Sequence, residues 1–125
     1  MITGIGIDVV HATRMDRWRN IPGLLDRFFA PEELKTALEK RNSASLSLAA
    51  RFAAKEAYGK ALGRGLAGIV LKDIMVKNRH NGQPEIHVTG TALAALRESG
   101  AKRIHLSLTH ERDSAIAMVV LEYEV

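Results

Sequence analysis

The stretch "RFAAKEAYGK", residues 51–60, combines two patterns whose relation determines how the chain is interpreted. Its alanines recur at helical spacing and predict a helix with one narrow apolar stripe. Four charged residues stand close together on the same predicted helix: Arg51, Lys55, Glu56 and Lys60. They form either a solvated helix face or a group that includes an acid held in place for chemistry.

The composition is that of a globular protein and excludes several other classes. The chain has 125 residues, of which 46% are hydrophobic and 26% charged, so we expect a single domain over residues 1–125. It contains no cysteine, which excludes a disulfide-stapled scaffold and a thiolate metal site. No apolar run approaches the ~20 residues of a membrane helix. The start "MITGIGIDVV" lacks the pattern of a signal peptide. We therefore expect no membrane contact and a cytoplasmic location.

The formal net charge of +4 favours an acidic partner, which includes nucleic acids, phosphorylated small molecules and acidic proteins. A nucleic-acid-binding module is one alternative. Its expected aromatic stacking surface is missing, because three Phe, two Tyr and one Trp are scattered along the chain. There is also no zinc-ligand spacing and no phosphate-loop glycine motif, so we expect no nucleic acid. A non-catalytic scaffold is the other alternative.

The residue patterns predict an α+β fold. Alternation predicts strands at 2–10, 69–78, 85–89, 103–110 and 115–125. Helical spacing and terminal signals predict helices at 12–20, 22–29, 30–40, 43–63 and 91–100. Serines are expected to cap the 43–63 helix, and Gly63 to end it. The order β-α-α-α-β-β-α-β-β predicts a mostly antiparallel sheet wrapped on the long helix. The last strand is apolar on both faces and is predicted to be central.

The first strand has a face that is suited to close contact. Gly4, Gly6 and Asp8 share this face because strand side chains alternate in direction. Two glycines leave it bare, so another backbone can approach. The long helix offers a matching stripe of methyl groups, formed by Ala50, Ala54, Ala57 and Ala61. If this stripe packs on the strand, Glu56 on its flank comes near Asp8.

Two neighbouring carboxylates repel each other unless a proton or a cation lies between them. Mg²⁺ suits this pair, because it binds through one or two carboxylates and keeps positions open for water and substrate phosphates. Lys60, one turn beyond Glu56, would neutralise charge on a phosphate. Other interpretations stay open: Asp8 as a cap or surface residue, a solvated Glu56–Lys60 pair, and glycines that serve only a turn or a bulge.

Three motifs resemble one known family along essentially the whole chain. They are "GIGIDVV" at 4–10, "RFAAKEAYGKALG" at 51–63 and "HLSLTHERDSAIAMVVLE" at 105–122. Together they are similar to the AcpS-type holo-acyl-carrier-protein synthases, which are short 4′-phosphopantetheinyl transferases. The resemblance implies transfer of 4′-phosphopantetheine from coenzyme A to a serine of apo-acyl carrier protein, in fatty acid biosynthesis. Adenosine 3′,5′-bisphosphate is released.

The same resemblance implies the catalytic residues. Asp8 and Glu56 are expected to bind Mg²⁺ beside the coenzyme A diphosphate, with Lys60 near the same phosphates. The proton of the carrier serine would pass to a carboxylate or to a water held by one. Family members are generally homotrimers with active sites between subunits, so a homotrimer is expected here.

Further coenzyme contacts are predicted from the motifs. Arg51 is expected to reach the 3′-phosphate of a coenzyme A bound on a neighbouring subunit. His105, Thr109 and His110 belong to the closing hairpin and are candidate coenzyme contacts. For the two histidines, a surface position on a strand and a position in a turn are the alternatives.

A basic surface is predicted for the carrier protein, because acyl carrier proteins are acidic. Arg14, Arg17 and Arg27 form this predicted docking surface. A solvated basic face is the alternative for any single arginine. Arg64 stands between two glycines where the family usually has a threonine, so its contribution to coenzyme binding is left open.

Overall fold

The computed structural model describes residues 1–124, which contain five strands and five α-helices. Their order broadly follows the predicted one, except that four helices rather than three separate the first two strands. The strands are β1 (Ile2–His11), β2 (Ile74–Asn78), β3 (Pro84–Val88), β4 (Arg103–Glu111) and β5 (Ser114–Glu122). The helices are α1 (Ala12–Arg19), α2 (Leu24–Phe28), α3 (Pro31–Leu38), α4 (Ala44–Ala61) and α5 (Gly90–Ser99). The α+β class is thus confirmed. Val125, the last residue of the predicted final strand, lies outside the described residues.

The strands form two antiparallel sheets. In the larger sheet β5 lies between β1 and β4, so its predicted central position is confirmed. The pairing of β1 with β5 sets Asp8 opposite Ala117 and extends to both ends of the described chain. The amino group of Met1 donates to the Tyr123 carbonyl at 3.0 Å, and the Tyr123 N–H donates back at 2.7 Å. The hairpin of β2 and β3 forms the second sheet.

Helix α4 packs directly on the glycine face of β1. A Cβ atom at Gly6 would lie 1.9 Å from the Ala57 carbonyl oxygen, and one at Gly4 would lie 1.8 Å from that of Ala61. No side chain fits in either position, so the predicted contact between backbones is confirmed. This contact brings Asp8, two residues after Gly6, to the side of α4.

The opposite side of α4 is anchored by a buried ion pair. Lys55 Nζ lies 2.8 Å from Glu33 Oε1, and both side chains are almost completely buried. The pair makes further hydrogen bonds to backbone groups of Ala30, Leu71, Ile74 and Val76. Removing one partner of such a pair typically costs about 3–5 kcal/mol, because the other charge is left buried. The pair therefore fixes the rotation of α4, and with it the direction of the neighbouring Glu56.

Two local predictions are wrong. The segment 69–78 was predicted to be one strand, but Leu71–Asp73 forms a 3-10 turn and β2 begins only at Ile74. Asp73 explains this turn, because its Oδ2 accepts hydrogen bonds from the N–H and the hydroxyl of Thr91, at 2.8 and 2.6 Å. The hydroxyl of Ser43 does not cap α4 either. It donates to the Lys40 carbonyl at 3.2 Å, since a 3-10 turn leads directly into the helix.

None of the helices within residues 1–124 has both the length and the apolar composition needed to cross a bilayer.

Candidate active site

Asp8, Glu56 and Lys60 come together where β1 meets α4. Lys60 Nζ lies 2.9 Å from Asp8 Oδ1, and it also donates to the Ile7 carbonyl at 3.0 Å. Glu56, one turn earlier on α4, is half-buried on the same flank. The spacing in the sequence predicted this group, and the close contact of the two backbones brings it together.

The electrostatics of the site are those of two crowded carboxylates beside one ammonium group. Burial raises the pKa of Glu56, and the nearby Asp8 carboxylate raises it further. The positive charges of Arg14 and Lys60 oppose that rise. The hydrogen bond from Lys60 to Asp8, together with the charge of Asp8, raises the pKa of Lys60. A second cation would therefore stabilise the ionised form of Glu56.

The donor set fits a hard divalent cation. Asp8 and Glu56 supply carboxylate oxygens, the ligand type that Mg²⁺ prefers, and their mutual repulsion falls when a cation binds. Within residues 1–124, no cluster of three or more histidine, aspartate or glutamate side chains is placed to hold a metal ion. An ion held by Asp8 and Glu56 would therefore take its other ligands from water and from a substrate.

A second group of predicted residues surrounds a cavity of about 400 Å³ between the start of α4 and the end of β4. Thr109 and His110 line it from β4, opposite Lys40 and Ser47. Arg51 lines a different cavity, together with Glu33 and Val76, and its Nη1 donates to Ser47 Oγ at 2.5 Å. Sequence reasoning missed Lys40 and Ser47, because neither belongs to a recognisable motif and only the fold brings them to the cavity.

Arg51 is nearly completely buried, and burial lowers its pKa even though the charge of Glu33 partly opposes this effect. Its Nε has no hydrogen-bond partner among the residues that the structure describes. The guanidinium group is therefore held in place by Ser47, with one buried donor still unsatisfied.

The family relationship agrees with this geometry. A family model described as the 4′-phosphopantetheinyl transferase superfamily matches residues 4–119. The chain belongs to this superfamily. A holo-[acyl-carrier-protein] synthase of Treponema denticola is 57% identical over 122 residues, covering 98% of this chain and 99% of that protein.

Solved structures extend the relationship to the fold of this transferase. The holo-[acyl-carrier-protein] synthase of Neisseria meningitidis matches at a TM-score of 0.84 and 36% identity, over 98% of this chain and 99% of that one. A holo-(acyl-carrier-protein) synthase of Bacillus anthracis, in complex with CoA (3′,5′-ADP), matches at a TM-score of 0.82 and 32% sequence identity, over 99% of each chain. The resemblance to holo-acyl-carrier-protein synthases that the motifs indicated is confirmed.

His105, a predicted coenzyme contact, and Arg64, whose contribution was left open, lie outside both the Asp8–Glu56–Lys60 group and the cavity between α4 and β4. His105 is exposed on β4, with its Nε2 2.9 Å from Glu122 Oε1. Arg64 Nη2 donates to the Ala67 carbonyl at 2.8 Å, and its Nη1 lies 3.6 Å from Glu98 Oε2 of α5. The side chain that replaces the usual threonine is therefore bound to its own loop and to α5.

The three arginines predicted to dock the carrier protein do not form one uniform surface. Arg17 and Arg27 are exposed, on α1 and α2 respectively. Arg14 is half-buried, and its guanidinium carbon lies 5.3 Å from the ring centroids of both Trp18 and Phe52. Arg14 and Arg17 differ in exposure, because the aromatic rings hold the Arg14 side chain inward.

Proposed function

We propose that this member of the superfamily is a holo-acyl-carrier-protein synthase. It transfers 4′-phosphopantetheine from coenzyme A to a serine of apo-acyl carrier protein and releases adenosine 3′,5′-bisphosphate. The observation that carries the proposal is the meeting of Asp8, Glu56 and Lys60 at one contact between β1 and α4. The names of the most similar relatives and of the solved structures agree with this activity.

In this proposal Asp8 and Glu56 hold Mg²⁺ at the diphosphate of coenzyme A. The ion supplies charge neutralisation for the phosphate oxygens when it is bound. Lys60 is already oriented by two hydrogen bonds, and an ammonium group has three donors, so one remains for a phosphate oxygen of the leaving group. The carrier serine oxygen forms the new bond to phosphorus as the bridging phosphate oxygen leaves. The serine proton passes to a carboxylate or to a water held by one.

We further propose that the cavity between α4 and β4 receives part of coenzyme A. Thr109 and His110 line it, and Lys40 adds a positive charge. Arg51 donates to Ser47 of this cavity but itself lines a different one, so its contact to a coenzyme bound on a neighbouring subunit stays a prediction. His105 lies apart from this cavity, so its coenzyme contact stays a prediction.

The proposed docking surface for the acidic carrier protein consists of Arg14, Arg17 and Arg27. The exposed positions of Arg17 and Arg27 support it, since charges at the rim of an interface steer an oppositely charged partner. Participation in fatty acid biosynthesis and a cytoplasmic location stay predictions.

We also propose that the protein assembles as a homotrimer with its active sites between subunits. The outer face of β1 exposes Ile5, Ile7 and Val9, and Met118 of β5 continues this apolar face opposite Ile7. Ile7 is 57% exposed and Met118 43% exposed. A contiguous apolar patch of this kind marks a protein–protein contact, and further copies of the chain are the proposed occupants. The number of three copies comes from the family resemblance.

The decisive experiment is mass spectrometry of apo-acyl carrier protein after incubation with coenzyme A and this protein, with and without Mg²⁺. We expect a gain of one phosphopantetheinyl mass only when the ion is present. A carrier protein that keeps its mass under both conditions would leave the non-catalytic scaffold as the better interpretation.

The residues are tested by Asp8→Asn and Glu56→Gln, each of which removes one charged ligand without changing side-chain size. We expect each variant to lose transfer activity by a factor on the order of 10² or more while keeping its circular dichroism spectrum and unfolding midpoint. Asp26→Asn, at an exposed acid on α2, is the matched control and should transfer normally. Near-normal turnover in either site variant would rule out the proposed metal site.

A further inference from the structure

Arg14 occupies an unusual position for a residue on a docking surface. It lies in the first turn of α1, immediately after β1, and its guanidinium carbon is 5.3 Å from the ring centroids of both Trp18 and Phe52. The rings of Trp18 and Phe52 are themselves in edge-to-face contact, with centroids 5.0 Å apart. A cation over two aromatic faces is stabilised in place, so the position of this guanidinium group is determined before any partner binds.

This position lies at the proposed transfer site. Phe52 and Glu56 are one helical turn apart on α4, so a group packed over the Phe52 ring is next to the Glu56 carboxylate. Asp8 approaches from β1, the strand that leads into α1. The charge of Arg14 acts on the Glu56 carboxylate and opposes the rise of its pKa, which agrees with this proximity.

The hydrogen-bonding groups of Arg14 have no acceptor in the part of the chain that the structure describes. Among residues 1–124 it takes part in none of the ion pairs or side-chain hydrogen bonds. By contrast, Arg19 on the same helix donates to Ser45 Oγ at 3.1 Å. A guanidinium group presents five donors in a planar fork that matches two phosphate oxygens. A half-buried, oriented fork without an internal acceptor is suited to an anionic ligand.

We propose that Arg14 binds phosphate oxygens of the coenzyme A diphosphate during transfer, in addition to bordering the surface that receives the carrier protein. This inference rests on the proposed function. Arg14 keeps its proton throughout, because a guanidinium group does not deprotonate in proteins, so its contribution is electrostatic. It stabilises the charge on the phosphate oxygens while the serine–phosphorus bond forms and the bond to the leaving phosphate breaks.

The proposal predicts different kinetic effects for two arginines on the same helix. Arg14→Gln removes the charge and the fork, and we expect kcat to fall by a factor on the order of 10²–10³, in addition to any rise in the carrier-protein KM. Arg17→Gln, at the exposed arginine of α1, should raise the carrier-protein KM and leave kcat near normal. The measurement is steady-state transfer with Mg²⁺, in which coenzyme A and apo-acyl carrier protein are varied separately.

A conservative variant keeps the test valid if Arg14→Gln fails to fold. Arg14→Lys retains the charge and an aliphatic stem over the rings but loses the planar fork, so we expect kcat to fall about tenfold. A raised carrier-protein KM with normal kcat in the folded Arg14 variants would overturn the proposal and make Arg14 a docking residue only. Failure of the proposed function itself has a different signature, because the wild-type protein would then leave the carrier unmodified.

Discussion

The buried hydroxyl of Tyr58, on the alanine-rich helix α4, is satisfied by a hydrogen bond. Its side chain is fully buried on α4, and its hydroxyl donates to the Ala92 carbonyl of α5 at 2.8 Å. Because burial disfavours the phenolate, the pKa of Tyr58 rises from 10.0 to about 12. The hydroxyl therefore stays protonated in the folded protein at a pH where the unfolded chain has begun to ionise.

Stability should depend on pH through Tyr58 in a defined direction. The folded-state pKa is raised, so the contribution of the protonated phenol is complete below about pH 10 and is lost as the pH rises towards 12. Tyr58→Phe should cost about 1–2 kcal/mol at pH 7, because the Ala92 carbonyl loses its donor. The difference between wild type and variant should then shrink between pH 10 and 12. Urea unfolding at pH 7, 10 and 11 measures this difference, and a constant difference would contradict the assignment.

Single residues were predictable from the sequence where their positions follow from a regular period. Asp8 was placed by the two-residue period of β1, and Glu56 and Lys60 by the helical period of α4. Arg14 was assigned only to the docking surface, because Phe52, which holds it inward, lies far along the chain and no local pattern links the two. Lys40 and Ser47, which line the cavity between α4 and β4, were missed for the same reason.

At the scale of elements, the contact between β1 and α4 determines the candidate site. Gly4 and Gly6 allow the two backbones to meet, while the buried Glu33–Lys55 pair anchors the opposite side of the helix. The position of Glu56 relative to Asp8 therefore depends on two features that lie outside the site.

The glycine contact is tested by Gly6→Ala. The added Cβ would lie 1.9 Å from the Ala57 carbonyl oxygen, which belongs to a rigid helix backbone and cannot move aside alone. We expect a loss of at least about 3 kcal/mol in the free energy of unfolding, the upper end of the cost of overpacking, or no folding at all.

Gly23→Ala provides the matched control for this substitution. Gly23 has φ +78° and open space around its Cα, so alanine there should cost only about 1 kcal/mol, through the left-handed backbone. Chemical unfolding measures the free energy of unfolding of both variants. Equal losses in the two would show that crowding against α4 does not cause the destabilisation by Gly6→Ala.

The element types were predictable because the periods of long segments are strong, but some boundaries were not. The segment 69–73 has the alternation of a strand, yet a tertiary hydrogen bond of Asp73 with Thr91 holds it in a turn. The first turn of α4 continues from a 3-10 turn, so Ser43 has no free helix end to cap. In the first case a contact distant in sequence outweighs the local preference, and in the second a neighbouring turn does.

At the scale of the whole molecule, the apolar face of β1 and β5 stays exposed to solvent in the single chain. Ile7→Glu places a charge in the centre of this face, and we expect the proposed trimer to dissociate into folded monomers with little transfer activity. Sedimentation at several concentrations, together with circular dichroism, measures both properties.

Leu38→Glu is the control for this substitution, because Leu38 is an exposed leucine on α3, outside the apolar face. It should leave the assembly unchanged. If the Ile7 variant sediments like wild type, the face is not a subunit contact. The number of subunits was not predictable from the spacing of residues, which describes one chain only.

During synthesis, the surroundings of Asp8 stay incomplete until β5 has been translated. Within residues 1–124, β1 pairs with β5 alone, and the contact at their ends joins residues 122 positions apart. Before β5 is synthesised, α3, α4 and the β2–β3 hairpin can form, but the backbone N–H and C=O groups of β1 still lack their strand partner. Such late pairing slows folding and leaves the nascent chain open to aggregation, or in need of a chaperone, until β5 emerges.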